Sequence, residues 1–166
     1  MSRTLDSVIV GVADMAVRKS ESARLVTHAL GSCIGVTVFD PVAKVGGMLH
    51  FMLPKPATPR MAENRPAAMF ASKGVPLLFR QAYELGADKS RIVVCAAGGA
   101  EFLEDCAGFQ VGKRNRTMMK KLFFKNDIVV AAEDTGGSRA RTMALDMETG
   151  VVTLSSANQE EVLWKP

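Results

Sequence analysis

The apolar positions of this chain fall into short, dense runs rich in β-branched residues, separated by Gly, Pro, Asp and Ser. LDSVIVGVA (5–13), CIGVTVFD (33–40), KVGGMLHFML (44–53) and SRIVVCAAGG (90–99) read as strands with at least one buried face, and 25–28 reads as a shorter one. Asp40-Pro41 is a turn signal, so the runs on either side of it are predicted to pair as a hairpin. Beyond residue 126, DIVVAAED, TGGSRA, RTMALDM, ETG and VVTLSS alternate strand-like runs with turn chemistry and predict a β-meander.

Two stretches change the period to 3.6. AAMFASKGVPLLFRQAYELGA (67–87) predicts a helix closed by Gly86 and kinked or split at Gly74 and Pro76, because proline has no amide proton for the turn before it. In VGKRNRTMMKKLFFK (111–125), a helix places Val111, Met118, Met119, Leu122 and Phe123 on one face and Lys113, Arg114, Arg116, Lys120, Lys121 and Lys125 on the other. Asn115 falls on the apolar face, where a buried structural hydrogen bond is its expected use. PKPATPRMAENRP (54–66) reads as loop. Strands outnumber helices, and the pattern predicts an α/β protein with a mixed β-sheet and two main helices packed on it, one domain over 1–166.

Composition narrows the class. With 166 residues, 48% hydrophobic and 23% charged, the chain has the make-up of an ordinary globular protein. Three cysteines without a basic, apolar leader predict reduced thiols and a cytoplasmic location; Asp14 interrupts the early apolar stretch. No window holds the roughly 20 apolar residues of a membrane span, so no membrane insertion is expected. The net charge of +4 is concentrated in the basic helix. That face is first a solvated one and second an attraction for an acidic partner. Without interleaved aromatic residues or a nucleic-acid motif, no nucleic acid partner is expected. No metal or cofactor is expected either: ligand clusters are absent, and GGAEFL lacks the lysine and hydroxyl of a phosphate loop.

The candidate chemistry gathers around Cys33 in THALGSCIGVTVFDP. A cysteine beside an apolar strand is by itself more often a small buried hydrophobe than a nucleophile. For reactivity it needs a base, and the chain has only His28 and His50. His50 and Cys33 stand at similar distances from a turn near Val42–Ala43, so the hairpin can bring them together. His28 adjoins Thr27 on a strand, so those two side chains are expected on opposite faces. Gly31 and Gly35 are expected to leave room for substrate approach and for main-chain amides to face an oxyanion. Pairing with His50 near such amides is expected to lower the Cys33 pKa. Cys95 reads as core, and Cys106, beside Glu104 and Asp105, as a poor nucleophile. GSCIG matches a nucleophile elbow in letters only, because a strand rather than a helix follows.

LGSCIGVTVFDPVAKVGGMLHFMLP, LGADKSRIVVCAAGGAEFL, VGKRNRTMMKKLF and IVVAAEDTGGSRARTMALDMETGVV, in this order over about residues 5–155, closely resemble the CheD family of chemoreceptor glutamine deamidases. The resemblance implies a three-layer α/β/α sandwich similar to the catalytic domain of cytotoxic necrotizing factor toxins. It implies Cys33, His50 and Thr27 as catalytic residues; for such a cysteine, backbone amides near Ser32 and Cys33 are expected to hold the oxyanion. The implied reaction converts receptor glutamine to glutamate through a cysteine thioester, and the same route allows glutamate methyl ester hydrolysis. Implied partners are chemoreceptor cytoplasmic domains and a CheC-type phosphatase; the alternative is a non-catalytic adaptor binding both. The stretch 54–76 is the least familiar part, and His28 and the Cys-Ala-Ala of 95–97 depart from the family pattern.

Overall fold

The computed structural model describes residues 6–102 and 110–166. In chain order these form β1 (Asp6–Ile9), β2 (Asp14–Lys19), β3 (Ala23–Leu30), β4 (Ile34–Asp40), β5 (Val45–Phe51), α1 (Pro59–Asn64), a 3-10 turn (Ala67–Met69), α2 (Ala71–Glu84), β6 (Val93–Gly98), α3 (Val111–Lys125), β7 (Val130–Thr135), β8 (Arg141–Asp146), β9 (Val152–Ser156) and β10 (Gln159–Trp164). They build a single α/β domain with two mixed sheets, ordered β1-β3-β8-β9-β10 and β2-β5-β4-β6-β7. Each contains one parallel pair, β1 with β3 and β6 with β7, among antiparallel ones.

Strand alternation sorts the core into two layers. Ile34, Val36 and Val38 of β4, Leu49 and Phe51 of β5 and Val94 and Ala96 of β6 face Val75, Leu78 and Phe79 of α2 and Met119 and Phe123 of α3. The opposite faces of the same strands, through Phe39, Met48, Cys95 and Ala97, meet Leu25, Leu30, Met143, Leu145, Val152 and Leu154 of the first sheet. This corrects the expected α/β/α sandwich with one mixed sheet. The three layers run sheet, sheet, helices. The central runs are buried on both faces, and the second cover is a sheet built from the two ends of the chain.

The β4–β5 hairpin forms, with Ile34 opposite Phe51 and Asp40 opposite Val45. Other expectations shift. The run 5–13 ends early as β1, and β2, which was not predicted, pairs with β5 beyond a turn in which Ala13 has φ 57°. The proline-rich loop contains α1, capped by Thr58, whose Oγ1 accepts from the Met61 amide at 3.1 Å. Helix α2 is continuous through Pro76, which is exposed. Gly74 is buried against β5, where a Cβ would stand 3.0 Å from Leu49 Cδ1. The meander divides: β7 joins the second sheet and β8 and β9 the first. A turn at Ala157–Asn158, both at positive φ, adds the unpredicted β10. No described helix is long and apolar enough to cross a membrane.

Candidate functional site

Gly31-Ser32-Cys33 joins β3 to β4 at the end of the sandwich remote from the Asp40 turn. The register of β3 against β8 slips between Thr27 and Leu30, with Ala29 at φ 59°, a bulge that re-aims the end of the strand. Thr27 is wholly buried, whereas His28 is exposed and lies 3.4 Å from Thr142 Oγ1. The two neighbours point to opposite faces, and only Thr27 reaches the space between the sheets.

Thr27 Oγ1 stands 2.6 Å from the Val10 carbonyl oxygen and 2.7 Å from His50 Nδ1. A hydroxyl has one proton, and a carbonyl can only accept. That proton therefore goes to Val10, and Thr27 accepts from His50 Nδ1–H. The tautomer of His50 follows: Nδ1 carries hydrogen and Nε2 carries the lone pair. Nε2 is buried and has no hydrogen-bond partner among the described residues. Val10 could not be found from side-chain reasoning, because it contributes through its backbone.

His50 on β5 lies opposite Gly35 on β4. Cys33 precedes Gly35 by two positions, so its side chain projects from the same face, and it packs on the inter-sheet cluster. Cys33 lies one residue before the first paired position, Ile34 opposite Phe51, which places it beside the diagonal position to His50. Diagonal pairs stand roughly 7–8 Å apart and remain within reach of long side chains. At Gly35 a Cβ would meet Leu30 Cδ1 at 3.0 Å and Met143 Sδ at 3.1 Å. The missing Cβ lets Leu30 and Met143 of the first sheet pack against β4. At Gly31 a Cβ would meet the Phe102 ring at 3.2 Å.

The half-buried Cys33 is held through its backbone. The Gly99 amide donates to the Cys33 carbonyl and the Ala100 amide to the Gly31 carbonyl, both at 2.8 Å. Gly98, at φ 109°, has no room for a Cβ, which would collide with the Cys33 carbonyl. From the helix layer, Asn115 Nδ2 donates to the Ser32 and Met52 carbonyls, each at 2.9 Å. Arg141, almost fully buried, donates to the Gly98 carbonyl at 3.3 Å and the Gly136 carbonyl at 2.7 Å.

Burial sets the resting charge state. It pushes the Cys33 thiol up, against the smaller opposing effect of the residue's own backbone N–H at the sulfur. It pushes His50 down from 6.5 to about 4. The expected lowering of the thiol pKa is thus overturned: at neutral pH the pair rests as thiol and uncharged imidazole. Cys95, buried on β6, is raised to about 11 by burial, in keeping with a core role. Cys106, Glu104 and Asp105 lie outside the described residues.

The basic helix keeps its predicted phase, with Met119 and Phe123 buried and Lys113, Arg114, Lys120, Lys121 and Lys125 exposed. Arg116 departs from it, folding back so that its Nη2 lies 3.5 Å from Glu101 Oε1.

A family model described as CheD chemotactic sensory transduction matches residues 52–156, more than half of the chain. This chain belongs to the CheD family. It is 42% identical over 153 residues to a protein of Syntrophus aciditrophicus named "Probable chemoreceptor glutamine deamidase CheD 1", covering 92% of this chain and 96% of that one. A relative from Anaeromyxobacter dehalogenans, "Probable chemoreceptor glutamine deamidase CheD 2", is 44% identical over 153 residues with the same coverage. One from Pyrococcus horikoshii, named "Probable chemoreceptor glutamine deamidase CheD", is 36% identical over 163 residues, 97% of this chain and 99% of that one. The model match begins just after His50, but any 153-residue span of a 166-residue chain includes positions 27–50. The similarity to CheD proteins therefore extends across the candidate site.

Proposed function

We propose that this CheD-family protein hydrolyses the side-chain amide of selected glutamines in chemoreceptor cytoplasmic segments, yielding glutamate and ammonia. The single observation that carries the reading is the Val10–Thr27–His50 relay, which leaves the unprotonated Nε2 on the face from which Cys33 projects. The relatives' names supply the substrate class.

In this reading His50 Nε2 takes the Cys33 proton as the sulfur attacks the amide carbon. Because burial favours neutral forms of both groups, proton transfer accompanies attack. The carbonyl electron pair moves to oxygen, where backbone amides of the Ser32–Cys33 segment stabilise it. Collapse of this intermediate expels the amine, which takes the proton from His50 and leaves as ammonia. Water, deprotonated by His50, then attacks the thioester; the thiol leaves with that proton and the product is glutamate. Thr27 keeps Nδ1 protonated and Nε2 directed at the chemistry, as an orienting carboxylate does in a serine triad. A glutamate methyl ester fits the same sequence, with methanol leaving instead of ammonia. A non-catalytic adaptor for receptors and a CheC-type phosphatase would leave the relay without a use.

The test is incubation with receptor cytoplasmic fragments, with peptide mass spectrometry to locate glutamines that become glutamate. Conversion that disappears in Cys33→Ala supports the reading. No conversion by the folded wild-type protein across the host's receptors, or conversion that persists in Cys33→Ala, overturns it.

A further inference from the structure

We infer that Asn115 is a positioning residue that orients the Cys33 backbone amide as the oxyanion donor. The inference rests on the thioester reading above, though its test does not require glutamine turnover.

Asn115 is fully buried on α3, in the layer on the far side of the second sheet from the first. Both hydrogens of its amide are committed, one to the Ser32 carbonyl and one to the Met52 carbonyl. The orientation of the amide is unambiguous, because Oδ1 turned toward two carbonyl oxygens would repel both. Met52 directly follows β5, so that bond anchors Asn115 to the strand carrying His50. The second bond reaches the peptide joining Ser32 to Cys33.

That peptide is planar and trans, so its C=O and N–H point in opposite directions. Asn115 draws the carbonyl toward the helix layer and thereby turns the Cys33 N–H away from it, to the side of the sulfur. In agreement, the Cys33 side chain packs on the inter-sheet cluster, on the side opposite the helix layer. An amide there faces the oxygen of a carbonyl attacked by that sulfur. The Gly99 amide, on the Cys33 carbonyl, fixes the next peptide in the same way. With both flanking peptides pinned, the donor is in place before substrate binds, which is the condition for effective oxyanion stabilisation.

Acylation passes through an oxyanion and alkylation does not, so comparing the two separates this role from general support of the loop. The variants are Asn115→Leu, of similar volume but without donors, and Asn115→Ser, smaller and polar. Each is followed for acylation of Cys33 by p-nitrophenyl acetate, alkylation of Cys33 by iodoacetamide, kcat and KM on a receptor fragment, and thermal unfolding. The expected result is acylation and kcat lowered about tenfold or more, with KM and the alkylation rate close to wild type. Equal loss of acylation and alkylation, wild-type acylation in a folded variant, or failure of both variants to fold would overturn the inference. If wild type is acylated at Cys33 but deamidates no receptor, the glutamine reading fails while the Asn115 comparison can still be read on the ester.

Discussion

The two ends of the β4–β5 hairpin each bury an ionisable side chain completely, and they treat it in opposite ways. At the turn, Asp40 Oδ1 accepts from the Val42 and Ala43 amides at 2.9 and 3.0 Å, and Oδ2 from the Asp88 amide at 2.8 Å and from Arg91 at 2.9 Å. Burial alone would raise its pKa, but Arg91 and these amides hold it at about 2. At the open end, His50 has one partner on Nδ1 and none among the described residues on Nε2, and burial holds it neutral with a pKa of about 4. Asp40, with both oxygens filled by donors, rigidifies the turn, while His50 keeps an unpartnered Nε2, the atom a base requires. Under the proposed function, the turn end is structural and the open end reactive.

Substitutions at the two ends should separate activity from stability. The largest effect is expected for Cys33→Ala, which should abolish ammonia release and change unfolding free energy by less than about 1 kcal/mol, measured by urea denaturation. Clear destabilisation with activity retained would make Cys33 a packing residue. His50→Ala comes next, with kcat lowered by roughly 10²–10⁴, the usual contribution of a general acid–base group. A normal rate in this variant, with loss in His28→Ala, would reassign the base.

Asp40→Ala should invert the pattern: about 3 kcal/mol of stability lost, because three amides and Arg91 lose their acceptor, with kcat of the folded protein unchanged. Acid titration should distinguish the ends in a single experiment. The His50 pKa is depressed from 6.5 to about 4, so the unfolded chain binds its proton first. Stability is complete above pH 6.5 and falls by about 3 kcal/mol toward pH 4. Asp40 contributes a later loss, as pH falls from 3.8 to about 2. His50→Ala should remove the first phase and leave the second; a first phase that persists would assign it to other groups. The smallest effect is expected for Thr27→Val, roughly tenfold in kcat with KM unchanged, through loss of the acceptor that fixes the tautomer. An equal rate over the whole pH range would show that His50 needs no such orientation.

The legibility of this protein in its sequence varies with the range of the interactions involved. Local signals read well: the Asp40-Pro41 turn located the hairpin, helical spacing located α3 with its basic face outward, and alternation put Thr27 and His28 on opposite faces. Turns that depend on left-handed residues without glycine read poorly, which is why β2 and β10 were missed on either side of Ala13 and Ala157–Asn158.

By itself the sequence determined the α/β class, the hairpin carrying Cys33 and His50, and membership of the CheD family, because local periodicity, turn chemistry and motif order are properties of the chain. Tertiary structure decided what lies against what. Dense apolar runs require cover on both faces but do not say whether a helix or a sheet provides it, and here both ends of the chain supply a sheet. Asn115 was legible as a buried polar residue, but its partners are backbone carbonyls 83 and 63 residues away. Val10 likewise acts through a carbonyl 17 residues from Thr27. Backbone acceptors have no side-chain signature, so only folding reveals that they set the tautomer of His50 and hold the peptide before Cys33.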